Sequence, residues 1–215
     1  MEATQKTYLP AAGHDFFLPL YDPLVKLLGG DAVRRTLLDL ASIQPGQRIL
    51  DIGCGTGSLV VMLKRLYPDV DVVGLDPDPK ALARATRKAA QAFLFVQFDR
   101  GYADELPYAD ASVDRVLSSF MFHHLPRDAK AGMLREVRRV LRPGGLFGLV
   151  DFDGPDAGGG GFLTRLFHSN QQLSDNADER ILALMNQAGL ANPRKIRQDT
   201  LLLGLMRLNY FQASI

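Results

Sequence analysis

Asp51, Gly53, Gly55 and Gly57 stand at alternate positions just after the apolar pair Ile49-Leu50, and a helical pattern starts near Ser58. Glycine permits positive φ and close backbone approach by a ligand, and a helix start offers it unpaired N–H groups. The stretch reads as strand, tight turn and helix N-terminus facing a ligand. A second apolar run, Val70 to Leu75, ends at Asp76. An acid there can accept hydrogen bonds from both hydroxyls of a ribose, which suits a nucleoside-containing ligand. His123 and His124 follow a later apolar run, and imidazole is the side chain best suited to take a proton near neutral pH. His168 has a weaker claim to that role.

Two nucleotide motifs are excluded by position. A dinucleotide fingerprint, Gly-x-Gly-x-x-Gly, needs a third glycine where Ser58 or Val60 stands, and no phosphate loop ending in Gly-Lys-Ser/Thr is present. The single cysteine, Cys54, excludes an intrachain disulfide and a thiolate metal cluster. It reads as a small filler of the turn and fits a reducing compartment.

The elements that must position these residues alternate. Apolar spacing predicts helices from Asp31 to about Ala41, from Gly57 to Tyr67, after Asp78-Pro79, across Met133 to Leu141, and at about 176–188. Asp78 is the expected N-cap of the third, with Pro79 at its first position. Strands are expected at 48–52, 70–76, Phe93–Val96, 113–119 and Leu146–Asp151, with two late ones near 194–199 and 203–212. Such alternation favours an α/β fold, a doubly wound and mostly parallel sheet with helices on both faces. Ligands of these sheets bind beyond the carboxyl ends of the strands, where strand order reverses, and the residues singled out above fall there.

At 215 residues one domain is expected. The net charge of +1 counts against nucleic acid as the main partner. No apolar run approaches the ~20 residues of a membrane helix, and the N-terminus lacks the pattern of a signal peptide, so the expectation is a cytoplasmic protein.

Beyond these properties, the chain resembles a known family. Ile49 to Gly57 is similar to the first motif of class I S-adenosylmethionine-dependent methyltransferases. The likeness continues through Val73-Gly74-Leu75-Asp76-Pro77, Ala103 to Tyr108, Ser112 to Ser119, His123-His124-Leu125 and Leu141 to Gly145. It covers about 45–152 and points to the small-molecule branch that includes the ubiquinone and menaquinone biosynthesis enzymes. The resemblance implies a Rossmann-like seven-stranded sheet with an antiparallel last strand. It implies a cofactor core at 31–152, preceded by a cap segment at 1–30. The four-glycine run Gly158-Gly159-Gly160-Gly161 suggests the hinge of a lid at 153–175, with a C-terminal helix and the last strands at 176–215 after it.

The resemblance implies S-adenosyl-L-methionine as cofactor. Gly53, Gly55 and Gly57 would let the backbone approach its methionine part, and Asp51 would orient the glycine turn and, often through water, the amino group. Asp76 would hold the ribose, Pro77 would lie against the adenine, and Ser119 would offer its carbonyl to the amino group. Tyr21 is a candidate contact to the methionine carboxylate. The family commonly has an acid where this chain has Tyr102, next to Ala103. Tyr102 could stack on the adenine, or Asp104 or Asp99 could supply the acid if the loop is offset.

Transfer of a sulfonium methyl is an in-line displacement that rests on alignment and exclusion of water. A base, His123 or His124, is needed only for an acceptor that must lose a proton. Phe16, Phe17, Phe120, Met121, Phe122, Phe162 and Phe167 suggest an aromatic or lipid-like small-molecule acceptor. A cofactor-binding scaffold without transfer activity is the alternative reading. Neither the oligomeric state nor the methylated atom is legible.

Overall fold

The computed structural model describes residues 29–153, 178–201 and 206–215. Tyr21, His168, the four-glycine run, nearly all of the cap segment and all but one residue of the lid lie outside these. Seven strands form one sheet in the order β3-β2-β1-β4-β5-β7-β6. They are β1 (Arg48–Ile52), β2 (Asp71–Asp76), β3 (Gln97–Arg100), β4 (Val113–Ser119), β5 (Leu141–Phe152), β6 (Ala191–Leu201) and β7 (Met206–Ser214). The first five run parallel; β7 pairs antiparallel with both β5 and β6. Strand order reverses between β1 and β4, and there the Ser118 hydroxyl donates to the Ile52 carbonyl at 3.0 Å.

Helices α1 (Gly30–Leu40), α2 (Ser58–Leu66), α3 (Pro79–Gln91), α4 (Arg127–Val140) and α5 (Asp178–Gln187) cover the sheet. Period-two alternation splits the core between its faces. Leu50 and Ile52 pack with Met133, Leu134 and Val137 of α4, whereas Ile49 packs with Leu37 and Leu38 of α1 and Leu59 and Leu63 of α2. Asp51, two residues after Ile49, faces the α1 side of this core, an expensive place for a lone acid.

Several elements differ from expectation. The cap of α1 is Gly29 in the left-handed region, and Asp31 lies inside the first turn. Phe93–Val96 is a connection and the third strand comes after it: Phe93 and Phe95 are 91% and 96% exposed. The strand expected at 194–199 extends to Ala191–Leu201, and the one expected at 203–212 is Met206–Ser214. The α3 cap is as expected, with the Lys80 N–H donating to Asp78 Oδ1 at 2.8 Å.

Candidate active site

A cleft of about 800 Å³ opens at the carboxyl ends of β1, β2 and β4. This lies within the range of roughly 300–1,000 Å³ that holds cofactor-sized ligands. Gly53, Gly55, Asp76, Pro77, Tyr102, Ala103, Ser119 and His124 all line it. Asp51, Gly57 and His123 do not, and each for a different reason.

The glycine turn is held from β2. The Gly53 and Cys54 N–H groups both donate to the Leu75 carbonyl, at 2.8 and 3.0 Å. Asp76 Oδ2 accepts the Gly55 N–H at 2.8 Å, and Oδ1 accepts the Asp78 N–H at 2.9 Å. Among the described residues, the acid hydrogen-bonded to the turn is Asp76. Burial raises the Asp76 carboxyl, and these two amides oppose the rise. Each carboxylate oxygen keeps a second acceptor site for a ligand hydroxyl.

Two of the three glycines meet different demands. A Cβ on Gly57 (φ +77°) would come within 2.8 Å of the Ala85 Cβ, so this glycine serves the packing of α2 on α3. Gly55 (φ +51°) lines the cleft, and a Cβ there would meet nothing within 4 Å. It leaves room beside the backbone for a ligand. Behind the turn, the Met121 side chain fills the place of the missing Gly53 side chain: a Cβ would fall 2.2 Å from its Cγ.

Asp51 is 1% exposed, and neither carboxylate oxygen has a hydrogen-bond partner among the described residues. Burial pushes its pKa up to about 8; the Arg34 charge opposes the rise, and Asp76 adds to it. Arg34 was not among the residues singled out from the sequence. It is 7% exposed, lies over the Phe120 ring at 5.6 Å, makes a 3.3 Å ion pair with Asp31 and lines the cleft. Its signal was its place on the apolar stripe of α1, between Val33 and Leu37. A buried cation and an unpartnered buried acid beside one cleft fit the carboxylate and ammonium of an amino acid, so the residues present suit the methionine end of S-adenosylmethionine.

At the other end, Asp99 accepts from the Tyr108 hydroxyl at 3.0 Å and is not among the cleft residues. Asp104 lines the cleft with Tyr102 and is pressed from behind by Gly132 of α4, where a Cβ would come within 2.7 Å of its own Cβ. Of Asp99 and Asp104, it is Asp104 that lines the cleft. Thr56, 4% exposed, lines the turn and accepts from Lys88 Nζ at 3.2 Å. Burial raises the Cys54 thiol well above its ordinary value, as do Asp51 and Asp76, which leaves it a filler.

Beyond β4 the backbone turns through Phe120 (φ +56°) into a short 3₁₀ turn, Phe122–His124. A left-handed conformation at a bulky residue costs roughly 1–2 kcal/mol and belongs to sites that are over-determined by their surroundings. Here it places Phe120 5.4 Å from Phe152, which meets His123 edge-on at 5.1 Å; the His123 and His124 rings lie 4.0 Å apart. The result is a run of four rings, of which Phe120 and His124 face the cleft. No group of acids, histidines and cysteine among the described residues could hold a metal ion. No helix among them is long and apolar enough to cross a membrane.

Comparison with known proteins gives a consistent neighbourhood. The family profile described as a methyltransferase domain matches residues 49–145. A demethylmenaquinone methyltransferase of Thermus thermophilus is 41% identical over 152 residues, 69% of this chain and 68% of that protein. The Deinococcus radiodurans protein of that name is 39% identical over 152 residues, and the match spans 62% of its length. A SAM-dependent methyltransferase structure from Aquifex aeolicus superimposes with a TM-score of 0.66 at 19% identity, covering 85% of this chain and 89% of the other, a likeness of fold.

Proposed function

This chain belongs to the class I S-adenosylmethionine-dependent methyltransferases, and on that premise we propose that it methylates a hydroxylated aromatic ring with an apolar tail, of the demethylmenaquinone kind. The observation that carries this reading is the run of rings from Phe120 through Phe152 and His123 to His124 at the edge of the cleft. Flat apolar faces favour a planar acceptor, and aromatic pairs contribute about 0.5–1.5 kcal/mol beyond simple burial. The names of the relatives point the same way.

Cofactor binding divides along the cleft. Arg34 takes the methionine carboxylate and Asp51 the ammonium, whose arrival supplies the partner that the buried acid lacks. Gly53 and Gly55 present backbone to the same end, and Ser119, which lines the cleft from the end of β4, offers its carbonyl to the ammonium. Asp76 binds the ribose hydroxyls while it keeps the Gly55 turn in place. Pro77, Tyr102, Ala103 and Asp104 form the adenine end. When bound, the cofactor supplies a methyl group on a positively charged sulfur, an electrophile that needs no further activation.

The protein then has three tasks: to align the acceptor, to keep water from the methyl group, and to remove a hydroxyl proton from the ring. The ring wall performs the first two. His124, the histidine that lines the cleft, performs the third.

The test is transfer of labelled methyl from S-adenosylmethionine into reduced, short-tailed demethylmenaquinone, with small polar amines as the control. Methylated quinol is the expected product. Transfer only into an amine would overturn the aromatic-acceptor reading and leave the family assignment intact.

A further inference from the structure

A buried contact between the loop after β4 and the end of β5 is not used by the cofactor site. His123 Nδ1 lies 2.6 Å from Asp151 Oδ1. The His123 backbone N–H donates to Asp151 Oδ2 at 2.7 Å, and the Phe152 N–H donates to Oδ1 at 2.8 Å. Asp151 is fully buried and His123 is 2% exposed. Burial alone would raise the Asp151 carboxyl; the His123 imidazole and the two backbone amides outweigh it and hold the group below the ordinary carboxylate range. An ionised carboxylate only accepts, so the ring nitrogen that faces it carries a hydrogen. The contact fixes both the tautomer and the orientation of His123.

The orientation matters because of what rests on it. One neighbour of the His123 ring is Phe152, met edge-on, and another is His124, with ring centroids 4.0 Å apart and planes at 41°. Of the two histidines, His124 lines the cleft. Asp151 is thus two side chains removed from the cleft, tied to the backbone of two segments: to His123 after β4 and to Phe152 at the end of β5. A buried carboxylate contributes little stability over an apolar side chain of similar size, so a need for stability alone does not explain its place beside Leu149 and Val150.

We propose that Asp151 is a positioning residue for methyl transfer: through His123 it holds His124 at the cleft wall, where His124 takes the acceptor's proton. The proposal rests on the aromatic-acceptor reading. In the step, the acceptor hydroxyl proton moves to the unprotonated ring nitrogen of His124 and the O–H electron pair stays with the acceptor. The acceptor oxygen, or the ring carbon conjugated to it, forms the new bond to the methyl carbon. When it is the carbon, that carbon then gives up its own hydrogen as a proton and the oxygen takes one back, which restores the aromatic quinol with no further net change in protons. The electron pair of the broken carbon–sulfur bond remains on sulfur. The positive charge lost at sulfur reappears on His124, which then gives its proton to water.

The experiment compares wild type with Asp151→Asn, His123→Asn and the double variant, using short-tailed demethylmenaquinol and S-adenosylmethionine. His123→Asn keeps a side-chain donor for Asp151 but removes the ring that supports His124, and it serves if Asp151→Asn does not fold. Each single variant is expected to lower kcat by about 10- to 100-fold, no more than the low end of the ~10²–10⁴ that a general base contributes, with the Kd for S-adenosylhomocysteine changed less than about twofold. The double variant is expected to be no worse than the poorer single one, since both break one unit. Nitrogen NMR should find a proton on His123 Nδ1 in wild type.

A proton on Nε2 alone, a multiplicative loss in the double variant, or cofactor affinity that falls in step with kcat would each overturn the proposal. So would full kcat in His123→Asn. A wild type that leaves the quinol unmethylated overturns the acceptor reading and this proposal with it, whereas an active wild type with unaffected variants overturns the positioning role alone.

Discussion

Asp76 Oδ2 accepts the Gly55 N–H at 2.8 Å, which joins the acid at the end of β2 to the middle glycine of the turn after β1. One carboxylate thereby holds the turn and, in the proposed mode of binding, the ribose as well. Asp76→Ala removes both at once. It is expected to weaken S-adenosylmethionine binding by about 1–3 kcal/mol and to lower the thermal midpoint of the free protein. Calorimetry and a melting curve read the two effects, and unchanged affinity in a folded variant would place the ribose elsewhere.

Asp51 gives a pH dependence of definite sign. Its carboxyl, pushed from 3.8 to about 8 by burial, holds a proton in the folded protein that the unfolded chain has released. Its contribution to stability is complete below pH 3.8 and is lost as pH rises to about 8. Asp51→Asn cannot ionise, so its melting temperature should gain on wild type as pH rises through that window. A tenfold change in acid strength corresponds to about 1.4 kcal/mol, and the gain near pH 8 should reach a few kcal/mol. The same variant should bind S-adenosylhomocysteine at least about tenfold more weakly, the loss of a charged hydrogen bond. Equal melting at both ends of the window would place the carboxylate in contact with water.

The glycines of the turn should respond in opposite ways. Gly57→Ala drives a Cβ to 2.8 Å from Ala85 and is expected to cost about 1–3 kcal/mol of stability by overpacking, beyond the left-handed backbone penalty. Gly55→Ala meets no atom of the protein within 4 Å and should cost only about 1 kcal/mol. Cofactor binding should be lost in Gly55→Ala, because its Cβ enters the cleft. Melting and binding measured together on both variants decide the matter; a Gly55→Ala protein with full affinity would refute the close approach.

Arg34 predicts a discrimination between ligands. Arg34→Met should reduce affinity for S-adenosylhomocysteine by about tenfold or more, the scale of a lost charge-assisted hydrogen bond. It should leave methylthioadenosine, which lacks the amino-acid end, nearly unaffected. Parallel loss for both ligands would show that the arginine supports the fold of the cleft and not the carboxylate.

The strands at the centre of the sheet were legible because their patterns were undiluted: β1 and β4 fall at Arg48–Ile52 and Val113–Ser119 as the sequence implied. The third strand was not. Phe93-Leu94-Phe95-Val96 has the apolar content of a strand, yet both phenylalanines project into solvent, and the true edge strand is the short, polar Gln97-Phe98-Asp99-Arg100. Composition cannot show which of two neighbouring segments takes a half-exposed edge. In the site, the turn and its acids were legible because they are local. Arg34 was readable only once its helical stripe was known to face Asp51. The His123–Asp151 contact joins residues 28 positions apart and depends on β4 and β5 being neighbours, which no local pattern states.

Met121 occupies the space left by the absent side chain of Gly53. A single contact thus couples the turn after β1 to the loop after β4, which in the proposed mode hold the cofactor and the acceptor respectively. Drift or redesign at position 121 would disturb the turn after β1 as soon as it altered the loop after β4, so this is the poorest position on that loop at which to seek a change of substrate range.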